Sequence, residues 1–191
     1  MATTASNVTA AKPAVAGAIW VGPANDSNIP TTVTDIKFRT ATGWSCLGYI
    51  SEDGLSNDNS PESESVKAWG GDIVYIAHTS KEDTFGFTLI ESRNQAVLET
   101  IYGADNVTVD TDGTITVKAN NNANDSFAMV VDMITADNFV KRICVPNGMV
   151  SEVGSITYAD GEVTGYETTV TAIPDASGNT HYEYIQTKSA S

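Results

Sequence analysis

The sequence is poor in positive charge, in cysteine and histidine, and in long apolar runs. Its 191 residues include ten Lys and Arg against 24 Asp and Glu, which leaves a formal net charge of −14. A nucleic-acid-binding protein normally carries clustered Lys and Arg that neutralise phosphates, and this sequence has no such cluster. The acidity therefore argues against polyanion binding and favours a surface that resists unwanted association.

The scarcity of apolar runs and of cysteine also limits where the chain can work. No apolar run approaches the roughly 18 residues of a membrane helix, and Met1 is followed by Ala, Thr and Ser instead of a cationic start and an apolar block. We expect a soluble chain with no secretory signal of its own and no membrane partner. Cys46 and Cys144 lack a neighbouring Cys or His at metal-ligand spacing, which favours two part-buried thiols over a disulfide, in a reducing compartment.

Residues that could carry catalysis form no recognisable motif. His78 and His181 are the only histidines, and neither lies in a zinc-binding pattern or beside a Ser or Cys nucleophile motif. Acidic pairs such as Glu62 and Glu64 are abundant, but the surrounding Ser and Asn indicate solvated loops and not a pocket that would raise one pKa. Residues 110–113 resemble the start of a calcium loop without its remaining ligands. The sequence predicts no enzyme, no cofactor, and no catalytic or metal site.

Short strands separated by turns dominate the chain. Residues 1–16 have too little bulk to pack alone and are predicted to form a flexible arm, followed by a single β-rich domain over residues 17–191. Asp112-Gly113 between two alternating runs predicts a tight hairpin. Strands are predicted at 18–21, 31–40, 47–50, 66–69, 73–77, 84–90, 106–110, 114–118, 126–134, 139–145, 155–158, 162–173 and 182–185.

One helix and one long loop interrupt the strands. Ser92 and Gln95 have capping-box spacing, a single apolar stripe runs from Val97 to Tyr102, and Gly103 can end the helix. Residues 51–64 are acidic, rich in turn formers and almost free of apolar side chains, which predicts a long loop. Short strands with a single helix indicate a mainly β protein, with an antiparallel sandwich or barrel-like core and the helix packed on one face or end.

The order of several segments resembles the major tail tube proteins of long-tailed, siphovirus-type bacteriophages. These segments are Ala18-Ile-Trp-Val-Gly22, Leu47-Gly-Tyr-Ile-Ser-Glu-Asp-Gly54, the acidic stretch, Lys67-Ala-Trp-Gly-Gly-Asp72, Thr84-Phe-Gly-Phe-Thr-Leu-Ile-Glu91 and the helix ending Tyr102-Gly103. The likeness covers about residues 15–103 and then fades to β-rich composition alone.

The resemblance implies a structural virion protein that assembles into hexameric rings, which stack into a hollow tube for DNA ejection. It implies a β-sandwich or barrel-like core, contacts with other copies, and partners such as the tape-measure, tail terminator and distal tail proteins. DNA would pass through the lumen without specific binding. The chain would lie in the phage tail, and in the host cytoplasm during assembly.

The resemblance also implies functions for three features that composition and pattern leave unexplained. The arm would dock on a neighbouring ring, and the acidic surplus would line a lumen to which DNA does not adhere. The acidic loop would reach across a ring interface and place inter-subunit contacts at Glu52, Asp53, Asp58, Glu62 and Glu64.

Two other interpretations stay open. A β-sandwich that binds carbohydrate or a cell surface would need exposed aromatic residues, and Trp20, Trp44 and Trp69 would supply them if they shared one face. In a β domain of this size, partly buried Trp residues are the commoner outcome. A glycoside hydrolase would need two carboxylates that face each other across a cleft.

Overall fold

The computed structural model describes residues 8–14, 17–122, 124–135 and 139–187. Within them the α-helix is Gln95–Tyr102 (α1), and 3-10 turns occupy Lys37–Thr40 and Ala104–Asn106. The strands are Ala11–Pro13 (β1), Ile19–Pro23 (β2), Ser45–Cys46 (β3), Ile50–Asp58 (β4), Pro61–Lys67 (β5), Ile73–Lys81 (β6), Thr84–Leu89 (β7), Val107–Val109 (β8), Ile115–Val117 (β9), Phe127–Thr135 (β10), Phe139–Val153 (β11), Tyr166–Ala172 (β12) and Tyr182–Thr187 (β13).

One large antiparallel sheet organises the domain. Among the described residues its strands follow the order β3, β2, β10, β11, β12, β7 and β4, with β1 beside β10 and β13 beside β11. Two hairpins stand apart from this sheet, β5 with β6 and β8 with β9. The predicted mainly β, antiparallel architecture with one helix is confirmed for this part of the chain. The hairpin predicted at Asp112-Gly113 is the turn between β8 and β9.

The core forms where α1 packs against the sheet. Strand β7 buries Phe85, Phe87 and Leu89 on one face and leaves the intervening residues partly exposed, which is the period-two pattern read from the sequence. The same apolar cluster also takes side chains from α1, β10, β11 and β12, including Val97, Leu98, Ile101, Met129, Val131, Val145 and Val170. Burial of each large side chain in such a cluster contributes about 1.5–3 kcal/mol.

The N-cap of the helix lies two residues beyond the predicted one. Asn94, and not Ser92, is the N-cap, since its side-chain oxygen accepts a hydrogen bond from the Ala96 amide at 3.0 Å. Gly103 ends the helix as predicted, with a φ of 89° that residues with a Cβ rarely adopt. The capping-box spacing was therefore a coincidence of composition, because an Asn next to the first helical residue caps equally well.

Residues 31–40, predicted as a strand, instead form an irregular segment that ends in the 3-10 turn. The buried Arg142 side chain explains the difference. Its Nη1 donates hydrogen bonds to the carbonyls of Thr32 and Asp35, so these groups bind a guanidinium instead of a neighbouring strand. Phe38 is then fully buried against Trp44 in a second, smaller apolar cluster.

The acidic stretch 51–64 is not a loop, and that prediction was wrong. Most of it lies in β4, paired with β7, and in β5, paired with β6. Pairing satisfies the backbone amides of an extended segment whatever polar side chains it carries, because the partner strand supplies the hydrogen bonds. Residues 155–158, predicted as a strand, have no regular structure.

The predicted arm lies partly outside the described residues, at positions 1–7 and 15–16. Of the rest, β1 pairs antiparallel with the end of β10, with Ala11 opposite Thr135 and Pro13 opposite Met133. The division into an arm at 1–16 and one domain at 17–191 stays a prediction.

No disulfide joins Cys46 to Cys144, as the sequence analysis expected. Cys46 lies opposite Trp20, Trp20 opposite Val130, and Val130 opposite Cys144, so three strand spacings separate the two thiols. Those spacings amount to roughly 14 Å, which is beyond the reach of a disulfide. Burial raises the pKa of the Cys144 thiol to about 12, despite the opposing effect of nearby Arg142.

Candidate assembly surfaces

A long β-hairpin leaves the edge of the main sheet. Strands β4 and β7 form its base, and β5 and β6 continue it outward as a separate two-stranded sheet. Only Asn59 and Ser60 separate β4 from β5, and only Glu82 and Asp83 separate β6 from β7. We call residues 61–81 the distal ribbon. At about 3.3 Å per residue, it extends roughly 25 Å beyond its base.

The distal ribbon is solvent-exposed and carries large apolar side chains. Its turn is closed by a hydrogen bond from the Ala68 amide to the Asp72 carbonyl at 2.8 Å, and the Trp69 side chain stands fully in solvent. Four consecutive side chains of β6 are 56–64% exposed, namely Ile73, Val74, Tyr75 and Ile76. A contiguous apolar patch on a folded domain marks an interaction site.

A buried carboxylate fixes the base of this hairpin. Asp83 accepts hydrogen bonds from Asn57 of β4 at 2.7 Å and from Thr180 at 2.5 Å, and it also contacts Nδ1 of His181. Burial acts to raise the pKa of Asp83, but hydrogen bonds from Thr180, Asn57 and His181 outweigh it and hold the pKa below its usual value. The ionised carboxylate therefore joins both strands of the base to the segment before β13.

The same contacts indicate that His181 has a structural role. Thr180 Oγ1 and His181 Nδ1 bind the same oxygen of Asp83, whereas a catalytic triad places the imidazole between the acid and the hydroxyl. The His181 ring also packs edge-on against Phe85, with ring centroids 5.4 Å apart. Among the described residues, no group of three or more His, Cys, Asp or Glu is placed to hold a metal ion.

A second surface, which we call the polar face, is the side of β12, β7, β4 and residues 149–152 of β11 that points away from the core. Strand register sets these side chains in rows, for example Glu167 opposite Thr88 and Glu152 opposite Thr169. Thr171 donates a hydrogen bond to Ser151 at 2.9 Å across two of the strands. On these described residues the face has no Lys or Arg, and besides Met149 and Gly86 it presents Thr84, Thr88, Ser151, Glu152, Glu167, Thr169, Thr171, Ser56 and Asp58.

The five acidic residues predicted to make inter-subunit contacts are spread along the hairpin. Glu52, Asp53 and Asp58 belong to β4, and Glu62 and Glu64 belong to β5. All five are exposed. Their contacts with another subunit stay a prediction.

The three tryptophans do not share an exposed face. Trp44 is buried, and its indole nitrogen donates to Asp26 at 2.6 Å. Trp20 packs edge-on against Phe38 in the same cluster, with centroids 5.7 Å apart, whereas Trp69 lies at the tip of the distal ribbon. This arrangement gives no platform of tryptophans for a sugar ring.

Sequence reasoning missed the apolar character of the distal ribbon. It assigned residues 73–77 to a strand but drew nothing from the absence of alternation in Ile73-Val-Tyr-Ile76. That absence was the available signal, because a strand with one face in water alternates apolar and polar side chains.

None of the helices in the described residues is long and apolar enough to cross a membrane. A protein-family model whose description is phage tail tube protein matches residues 1–191. A comparison with curated proteins found no match.

Proposed function

The chain belongs to the phage tail tube protein family, and from this premise we propose that it forms stacked hexameric rings whose continuous bore carries DNA during ejection. As a family member it is a structural component of the virion tail, which is built from many subunits and from other tail proteins. The observation that carries the proposal is the pairing of two surfaces on one domain, an apolar ribbon suited to association and a cation-free polar face.

The polar face is the proposed lining of the bore. The charged side chains that β11 and β12 contribute to it, Glu152 and Glu167, are acidic, and its other polar side chains on these strands and on β7 are Thr and Ser hydroxyls. A surface of this kind repels phosphates and offers them no cation, so DNA can slide along it without a binding step.

Association of one patch with a different patch on the next copy explains how a single chain builds both rings and a tube. Such heterologous contacts close into a ring laterally and propagate axially. We assign axial contacts to the hairpin, with Glu52, Asp53, Asp58, Glu62 and Glu64 along it, and to the N-terminal arm. Each interface needs on the order of 1,000 Å² of buried surface, and repetition around a ring multiplies modest contacts.

The remaining partners follow from this role. A tape-measure protein inside the bore, a terminator at one end and distal tail proteins at the other would each contact only part of a ring. Assembly in the host cytoplasm would precede incorporation into the virion.

Electron microscopy of the purified chain tests the proposal. Over a concentration series at moderate salt, with mass measurement in parallel, we expect rings or hollow tubes. A chain that stays monomeric at high concentration, even with tail initiator components present, would overturn the proposal and favour a carbohydrate-binding module, to be tested by glycan screening.

The lining is tested by charge reversal. Tubes of the E152K/E167K double variant are expected to retain labelled duplex DNA, whereas wild-type tubes release it. The E162K variant is the matched control, because Glu162 is exposed in a loop outside the polar face. Equal DNA retention by all three tubes would place the bore lining elsewhere.

A further inference from the structure

Strand β6 is apolar on both of its faces. Successive side chains of a strand point to opposite sides, so Tyr75 lies on one face of the distal ribbon and Val74 and Ile76 on the other. The register agrees, with Tyr75 directly opposite Val66 and Ile76 directly opposite Ser65, whereas Ile73 lies beyond an irregularity in the pairing, opposite Lys67. We call the side with Tyr75 the tyrosine face and the side with Ile76 the isoleucine face.

Two strands of the main sheet differ from β6, because they are apolar on one face only. Strands β7 and β12 alternate strictly between buried and less buried positions, since one side meets the core and the other carries the polar face. Near-continuous apolar runs are typical of strands that are covered on both sides. In the single chain, however, residues 73–76 of β6 are covered on neither side.

From Glu62 to Ser65 the neighbouring strand β5 is polar on both faces. It carries Glu62, Ser63, Glu64 and Ser65, so the apolar surface on each side is a stripe that follows β6 and leads to Trp69 at the tip. A charged strand beside an apolar one also limits pairing with wrong partners before assembly. A binding partner that covered only one apolar stripe would leave the other stripe exposed to solvent.

We propose that the distal ribbon inserts between two other copies of this chain, one packed on the tyrosine face and one on the isoleucine face. This inference rests on the proposed tube, which supplies lateral and axial neighbours that meet at a seam. The reach of roughly 25 Å approaches the diameter of a small domain, so the ribbon can extend past its own subunit into that seam. A chain with a net charge of −14 is poorly suited to the alternative, an anionic lipid surface.

Face-specific substitutions test the inference. The variants are V66T/Y75T on the tyrosine face and V74T/I76T on the isoleucine face, with S63T/S65T on β5 as the matched control. Threonine keeps the strand propensity and removes apolar surface. Each face variant should raise the critical concentration for tubes at least about tenfold, since an exposed apolar side chain that becomes buried is worth about that factor in an association constant. Monomer melting temperatures should stay close to that of the control.

The outcomes separate this inference from the proposed function. An effect of only one face variant would mean that the ribbon lies on a single surface, and an effect of neither would mean that it is not an interface; both overturn the inference while tubes still form. Failure of the wild-type chain to form tubes would overturn the proposed function and this inference together.

Cross-linking then tests for two neighbours directly. With p-benzoylphenylalanine placed at position 75 or 76 in assembled tubes, we expect adducts on two different surface patches, and three-chain adducts when both positions carry it. Adducts on the same patch from both positions would overturn the inference. Binding to phosphatidylcholine or phosphatidylglycerol vesicles that V74T/I76T loses, with tube formation unchanged, would identify a lipid surface and also overturn it.

Discussion

A group of three charged residues, Asp132, Arg142 and Arg39, lies inside the domain, where an unpaired charge would destabilise the fold. The Asp132 carboxylate accepts hydrogen bonds from Arg142 Nε at 2.6 Å and from Arg142 Nη2 at 2.9 Å. It also accepts one from Arg39 Nη2 at 2.7 Å. Arg142 lies over the Phe38 ring as well, 5.1 Å from its centroid. The group therefore attaches the irregular segment 31–40 to the middle of the sheet.

Neutralising Asp132 should destabilise the protein strongly. We expect D132N to lower the free energy of unfolding by about 3–5 kcal/mol, because it leaves a buried guanidinium without its counter-charge. Urea denaturation below the concentration for assembly measures the loss. The control is E183Q at the partly exposed pair Lys141–Glu183, where the expected change is about 0–1 kcal/mol. Equal effects of D132N and E183Q would show that the buried group contributes little.

Asp83 makes stability depend on pH in a predictable direction. Its pKa is lower in the folded chain than in the unfolded chain, so the ionised carboxylate stabilises the fold above an unfolded pKa of about 3.9, and this contribution is lost as pH falls through the folded pKa. D83N should lower the free energy of unfolding by about 1–3 kcal/mol near pH 7.

The difference between wild type and D83N should shrink below about pH 4, as the wild-type carboxyl group takes up a proton. Denaturation curves from pH 3 to pH 7 measure it, with the exposed neighbour variant E82Q as control. A difference that stays constant over this range would contradict the assignment of an ionised Asp83.

At the scale of elements, helix α1 depends on contacts before its first turn. Asn94 caps the helix, and its Nδ2 also donates to the Cys46 carbonyl at 3.2 Å and to Glu91 at 3.0 Å. Glu91 in turn accepts the Tyr49 amide at 2.9 Å. Gly48 leaves space for the Glu91 carboxylate, since a Cβ at position 48 would lie 2.0 Å from Glu91 Cδ.

Substitutions at Asn94 and Ser92 can distinguish the cap seen in the structure from the cap predicted from the sequence. N94A should lower the free energy of unfolding by at least about 1 kcal/mol, through loss of the cap and of both side-chain hydrogen bonds. S92A, at the cap expected from the capping-box spacing, should change it by less than about 0.5 kcal/mol. Urea midpoints of the two variants give the comparison, and a larger effect of S92A would restore the original cap assignment.

Elements whose side-chain pattern matched their surroundings were predictable, and those held by distant partners were not. Strand β7 and helix α1 each present one apolar face to a core, so their periodicity identified them. Strands β4 and β5 have no such face, and their extended form comes from pairing with β7 and β6. Composition alone therefore predicted a loop there.

For the whole molecule, net charge sets the conditions for assembly. Each chain carries a formal charge of −14, so neighbouring subunits repel one another until salt screens the charges. We expect tubes to form more readily as ionic strength rises to the point where the Debye length is about 8 Å. Light scattering and electron microscopy across a salt series measure this. Best assembly at very low salt would contradict it.

The sequence by itself determined the mainly β class, the α-helix of the described residues and the family resemblance that the family model confirms. The β class and the helix follow from composition and local periodicity, and the resemblance follows from the order of several short segments; all are present in the chain before it folds. It did not determine where the functional surfaces lie.

Only the tertiary structure decided that the acidic stretch is a paired hairpin and that Trp69 lies in solvent while Trp44 is buried. It also decided that Glu152 and Glu167 share a face with rows of hydroxyls. The physical reason is that strand pairing and register join residues far apart in sequence, and local pattern carries no information about which strands will pair.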